Sequence, residues 1–208
     1  TGEAGGQVVL GQNGVALASG WAAVETAAAG TYTVTVSTAL TDGGYGIVLL
    51  DSAGNFAPAA PGGDSGTFII DTSVPAAGTL SLSNFTDSGA SDTDRISSDK
   101  SFDLSLKDNE PGSAVVYQIS TNGGTTWSTT TTAQTNLADG PYQFRAQVSD
   151  AAGNSALSNA ISVTVDTQAP LRPVITAIDV NSGSTSDRIT NDATPVLTVT
   201  GEAGGRVV

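Results

Sequence analysis

Tyr142-Gln143-Phe144-Arg145-Ala146-Gln147-Val148 alternates apolar-bodied and polar residues without a break. Successive side chains of a strand point to opposite faces, so residues 142, 144, 146 and 148 share one face and Gln143, Arg145 and Gln147 the other. One face suits a core and the other water, as in a half-buried antiparallel strand. The same reading applies to Tyr32, Val34 and Val36; to Phe68 and Ile70; to Phe102, Leu104 and Leu106; and to Ile161, Val163 and Val165. Only Gly20 to Ala29, with its alanine run, has a helix-forming composition, and a short turn is the most expected there. The chain reads as all-β.

Outward from that strand, landmarks recur in a constant order. Asp139-Gly140-Pro141-Tyr142, which opens it, matches Asp42-Gly43-Gly44-Tyr45, and Asp150-Ala151-Ala152-Gly153-Asn154, which follows it, matches Asp51-Ser52-Ala53-Gly54-Asn55. Val165-Asp166-Thr167-Gln168-Ala169-Pro170 repeats Ile70-Asp71-Thr72-Ser73-Val74-Pro75, and Asp187-Arg188-Ile189-Thr190-Asn191-Asp192 repeats Asp94-Arg95-Ile96-Ser97-Ser98-Asp99. Thr1-Gly2-Glu3-Ala4-Gly5-Gly6 returns as Thr200-Gly201-Glu202-Ala203-Gly204-Gly205. Proline breaks a strand and stiffens a link, so Asp-Thr-x-x-Pro marks the end of one repeat and the start of the next. Residues 72–166 then form one whole domain, 1–71 the later part of a preceding domain, and 167–208 the opening part of a following one.

Composition excludes much chemistry. The 208 residues hold no cysteine, methionine or histidine, which removes disulfides, thiolate and imidazole metal ligands, cysteine nucleophiles and histidine triads. Seven basic residues against twenty acidic ones give a net charge of -13, which repels nucleic acid and anionic membranes. No apolar run approaches the roughly 18 residues of a membrane helix, so no membrane insertion is expected. Most of the acids are aspartates in loops, which suits hard cations that take oxygen ligands.

With these repeats, and with the Asn122-Gly123-Gly124-Thr125-Thr126-Trp127 hairpin, the chain resembles the bacterial Ig-like repeats of very large adhesins exported by type I secretion. The resemblance spans essentially the whole chain. It implies tandem seven-stranded immunoglobulin-like β-sandwiches joined end to end, a structural extender or filament module, an extracellular place on the bacterial cell surface, and Ca2+ at the domain junctions. Gly-Gly-x-Gly-x-Asp nonapeptides, found elsewhere in such proteins, are missing from this sequence, which points to the stalk.

In such a sandwich strands F and G join at the pole where the domain begins, and the A–B loop lies at the other pole. Tyr142 takes the place of a tyrosine corner. Asp150 to Asn154 becomes the F–G loop facing Asp71 and Thr72, while Asp87 to Asp94 lies near Asp166. Converging carboxylates without a basic partner call for a cation. The expected calcium ligands are Asp51, Asn55, Asp71, Asp87, Asp92, Asp94, Asp150, Asn154, Asp166 and Asp187. The competing reading makes the same residues turn formers, with Asp and Asn closing Asx-turns and glycine taking positive φ. Asp179-Val180-Asn181-Ser182-Gly183 opens like an EF-hand loop without the later Glu ligand and is set aside.

Other chemistry is thinly supported. Trp21 and Trp127 suggest either a sugar-stacking platform or ordinary hairpin packing. Asp103/Asp108 and Asp108/Glu110 are nominal acid–base pairs of a kind that any acidic domain offers, and no enzymatic activity is expected. A ligand- or carbohydrate-binding adhesin domain is the alternative function. The expected partners are neighbouring repeats, either in one continuous polymer or from identical chains meeting head to tail by strand complementation.

Overall fold

In the computed structural model of this chain, the structure describes residues 7–12, 15–28, 31–50, 53–54, 66–89, 91–182, 184 and 186–205, and no helix occurs among them. The first strands are β1 (Gln7–Gln12), β2 (Val15–Ala16), β3 (Trp21–Glu25), β4 (Tyr32–Val36), β5 (Gly43–Leu50) and β6 (Thr67–Ile70). Next come β7 (Ala77–Ser83), β8 (Ile96–Ser97), β9 (Phe102–Asn109), β10 (Ala114–Ser120), β11 (Ser128–Thr130), β12 (Ala133–Gln134), β13 (Gly140–Ser149), β14 (Ser155–Leu157) and β15 (Ile161–Val165). The last two are β16 (Val174–Ile178) and β17 (Leu197–Thr200).

The middle set builds an Ig-like sandwich. One sheet has the order β12-β9-β7; the other has the order β11-β10-β13-β15-β8, with β14 also on β13. All its pairings are antiparallel except β15 with β8. The chain therefore crosses from the first sheet to the second between β7 and β8. The alternation read in residues 142–148 holds: Phe144, Ala146 and Val148 are buried in β13. Phe144 shares one core cluster with Leu80, Phe102 and Leu104 of the opposite sheet and Ile161, Val163 and Val165 of its own side. Phe102 packs edge-on against both Phe85 and Phe144, at centroid distances of 5.4 and 5.6 Å, the geometry favoured by the aromatic quadrupole.

Flanking strands repeat pieces of this architecture. β2-β1-β5-β6 form one antiparallel sheet, and β3 pairs β4 as a separate hairpin. Here the expectation of a turn over Gly20 to Ala29 is corrected: Trp21–Glu25 is a full strand in register with Tyr32–Val36. Trp21 and Val24 favour an extended backbone, and cross-strand pairing outweighs the helix propensity of the intervening alanines. β16 and β17 make a second isolated hairpin.

Candidate functional site

The structure concentrates its polar geometry where one set of sheets hands over to the next, at Asp71-Thr72-Ser73. The carboxylate of Asp42, just before β5, accepts hydrogen bonds from the Thr72 N–H (2.9 Å), the Thr72 hydroxyl (2.7 Å) and the Ser73 hydroxyl (2.6 Å). These donors, Ser73 foremost and then Thr72, hold the Asp42 carboxyl below the usual carboxylate range. From the other side, the Asn154 side-chain amide in the β13–β14 loop donates to the Asp71 carbonyl at 3.0 Å. Asp71-Thr72-Ser73 is thus gripped by both flanking units.

Asn154 is itself held. Its side-chain amide donates to Asp150 Oδ2 at 2.8 Å and its N–H to Asp150 Oδ1 at 2.9 Å. That side-chain bond leads the effects that lower the Asp150 pKa. Gly153 takes a φ of 94°, which suits glycine in this tight turn.

The next handover repeats the first. The Thr167 hydroxyl donates to the Asp139 carboxylate at 2.8 Å, as Thr72 does to Asp42. Each of these aspartates precedes a glycine with a φ of 147°. Each glycine is followed two residues later by a tyrosine whose hydroxyl donates to the carbonyl four residues back, Tyr45 to Thr41 at 2.8 Å and Tyr142 to Ala138 at 2.9 Å. The tyrosine corner expected at Tyr142 is present, with a second at Tyr45.

Every other expected ligand in the described residues is placed. Asp71 and Asp166 turn a carboxylate oxygen onto the N–H of Ser73 and Gln168, and Asp94 and Asp187 onto the N–H of Ile96 and Ile189. All four are Asx-turns. Arg95 and Arg188, which follow Asp94 and Asp187, share a φ of 58°. Asp87 accepts from the Arg95 N–H through Oδ2, whereas its Oδ1 is buried without a hydrogen-bond partner. Asp87, Asp92 and Arg95 line one groove of about 660 Å3 beside β7. As expected, this loop lies by the exit of β15: the Thr164 N–H donates to the Arg95 carbonyl and the Asp166 N–H to the Ser97 carbonyl. Asp51 and Asn55 lie outside the described residues.

Among the described residues no three acidic side chains stand close enough to share one ion. Carboxylates from three segments do not converge on Asp71-Thr72-Ser73; there the carbonyl of Asp71, rather than its carboxylate, meets Asn154. Both Asp150 oxygens are committed to Asn154, so this loop fits a hydrogen-bonded clamp better than a cation cage. The Asp87 loop fits a cation better, since it holds a buried carboxylate oxygen with no partner.

Two sheets in this order, with the tyrosine corner, decide the kinship of the middle strands. Residues 74–167 match the family model of the bacterial Ig-like domain. No curated protein matches the chain. The bacterial Ig-like domain is a non-enzymatic family typical of surface and extracellular proteins. The nominal acid–base pairs have structural work in it: Asp103 accepts from Asn84 at 2.6 Å, and Glu110 from the Ala76 N–H. Trp127 packs within its own hairpin, donating to the Gly124 carbonyl at 2.9 Å, with the Arg145 guanidinium 4.0 Å above its ring.

Sequence reasoning missed three residues. Asp42 and Asp139 were noted as repeat landmarks and not as partners of the Asp-Thr-x-x-Pro threonine, although the two motifs recur together. Asn159, which joins β7 to the β14–β15 bend, carried no signal.

Proposed function

We propose that this chain is an extender segment of a large bacterial cell-surface adhesin or extracellular filament, with one whole bacterial Ig-like domain at 72–166 set end to end between the later part of a preceding one at 1–71 and the opening part of a following one at 167–208, and with junctions stiffened by calcium. The observation that supports this best is the two-sided grip on Asp71-Thr72-Ser73 by Asp42 and Asn154. A linker bonded from both sides transmits orientation, which is what a stalk needs and a catalyst does not. β13 also favours a linear array. Its ten residues run from Gly140, paired with Val165, to Ser149, next to the loop that holds Asp71, a span of about 30 Å. The chain therefore enters and leaves the middle sandwich at opposite poles.

Calcium in this reading is held by Asp87 and Asp92, whose loop contains the unpartnered oxygen, and it would supply charge neutralisation and a fixed loop geometry. Affinities of extracellular modules, about 10⁻⁴ to 10⁻³ M, are expected. At a free calcium about 100 times the dissociation constant, one site adds about 2.7 kcal/mol of stability. Melting and small-angle scattering in chelator and in millimolar calcium test this. A higher melting temperature and a stiffer profile in calcium support it; identical curves reject calcium stiffening.

A further inference from the structure

The strands β8, β10, β11, β13, β14 and β15 contain no aspartate or glutamate, in a chain with twenty acidic residues, and Arg145 is their single charged side chain. Directly paired residues of neighbouring strands share a face. On the face turned away from the core, Gln118 stands between Thr129 and Arg145, Gln147 between Val116 and Leu157, and Gln143 beside Ser162. This face is neutral apart from one cation, whereas the acids of the middle sandwich lie in its loops and on β9.

Arg145 is held in one orientation. Its guanidinium lies 4.0 Å above the Trp127 ring, and its Nε–H donates to Gln118 Oε1 at 2.7 Å. Trp127 is fixed in turn by its bond to the Gly124 carbonyl, and Gln118 by donating its own amide to Gln147 Oε1 at 3.4 Å. These contacts use one face of the guanidinium and its Nε; among the described residues no group accepts from the two terminal nitrogens. The N–H groups of that end form a planar fork that matches both oxygens of a carboxylate. A free arginine loses rotamer freedom when it grips an anion, whereas here packing has already fixed it.

Two features narrow the partner. A net charge of -13 opposes a polyanion, and one arginine matches one carboxylate. Around that arginine stand amides and hydroxyls, which exchange hydrogen bonds with the hydroxyls of a sugar. We propose that the outer face of this sheet binds a neutral glycan ended by a single sugar acid, with the Arg145 fork on the carboxylate and Gln143, Gln147 and Thr129 on neighbouring hydroxyls. Trp127 serves as the support of the arginine and not as a stacking platform. The face lies along β13, between the poles where successive domains meet, so it stays open in an end-to-end array. This proposal goes beyond the extender reading, since a spacer needs no ligand, and it involves neither Asp87 nor Asp92.

Titration of the 208-residue chain with sialyllactose and with an oligosaccharide ended by glucuronic acid tests the site, followed by the NMR signals of the Arg145 Nε–H and the side-chain amides of Gln118, Gln143 and Gln147. Saturable shifts at these groups are expected with at least one of the two. None is expected with lactose, which lacks the carboxylate, or with an aspartate-rich peptide, which lacks the sugar hydroxyls. Arg145→Lys keeps the charge but loses the fork and the ring contact, and is expected to weaken binding about tenfold or more. Unchanged signals from Phe144 and Val148 show that the variant is folded, and the wild-type shifts locate the site without it. No shift with either acidic sugar, equal shifts with lactose or the peptide, tighter binding of polygalacturonate, or full binding by a folded Arg145→Lys overturns the proposal. The calcium melts test the extender reading separately, so failure of one is distinguishable from failure of the other.

Discussion

The side-chain amide of Asn159 pairs with the main chain of Leu80 as a strand would: the Leu80 N–H donates to Oδ1 at 2.7 Å and Nδ2 donates to the Leu80 carbonyl at 3.0 Å. Leu80 lies in β7, on the outer edge of the three-stranded sheet, and Asn159 in the bend between β14 and β15 of the other. One amide thereby ties the two sheets and occupies two backbone groups of an edge strand. Asn159→Ala leaves both groups without a protein partner and should lower stability by about 1–3 kcal/mol. Urea denaturation followed by tryptophan fluorescence measures it, and an unchanged midpoint refutes a tying role.

Acid should release Asp71-Thr72-Ser73 before it unfolds the core. Asp42 and Asp150 both have lowered pKa values, through Ser73 and Thr72 in one case and Asn154 in the other. A carboxylate with a depressed folded pKa contributes its stabilisation fully above the unfolded value, about 4, and loses it as pH falls through the folded value. The amide resonances of Thr72 and Asn154, which donate to these carboxylates, should move together below about pH 4 while those of β13 stay fixed. Asp42→Asn should shift Thr72 at neutral pH and remove its acid transition.

Removing the hydroxyl of a tyrosine corner should have a modest effect. Tyr142→Phe keeps the ring stacked near Phe144 and deletes the hydrogen bond to the Ala138 carbonyl. A loss of about 0.5–1.5 kcal/mol is expected in equilibrium unfolding. A loss several times larger points to a packing role for the hydroxyl.

Core and pole substitutions should separate cleanly. Phe144→Ala opens a cavity among Phe102, Tyr142 and the β15 valines and should cost about 3–5 kcal/mol. Asp166→Ala removes an Asx-turn at an exposed site and should leave the melt within about 0.5 kcal/mol of the wild type. Equal destabilisation by the two contradicts the assignment of core and pole.

Local pattern was sufficient for the all-β class and for the inward residues of β9, β13 and β15, whereas the tyrosine corner and the facing of Asp150–Asn154 toward Asp71 followed from the topology that the Ig-like resemblance implies. Period-two alternation and turn chemistry are properties of neighbouring residues, so they can be read along the chain. The same locality misread Gly20 to Ala29, where pairing with β4 decides the backbone. Tertiary structure alone decided that the Asp42 carboxylate meets Thr72 and that Asn159 binds Leu80, whereas the bonds between Asp150 and Asn154 close a local turn of the kind the sequence offered. An aspartate has only a few acceptor sites, and whether they face a backbone N–H, a threonine hydroxyl or a cation depends on which segments the fold brings alongside.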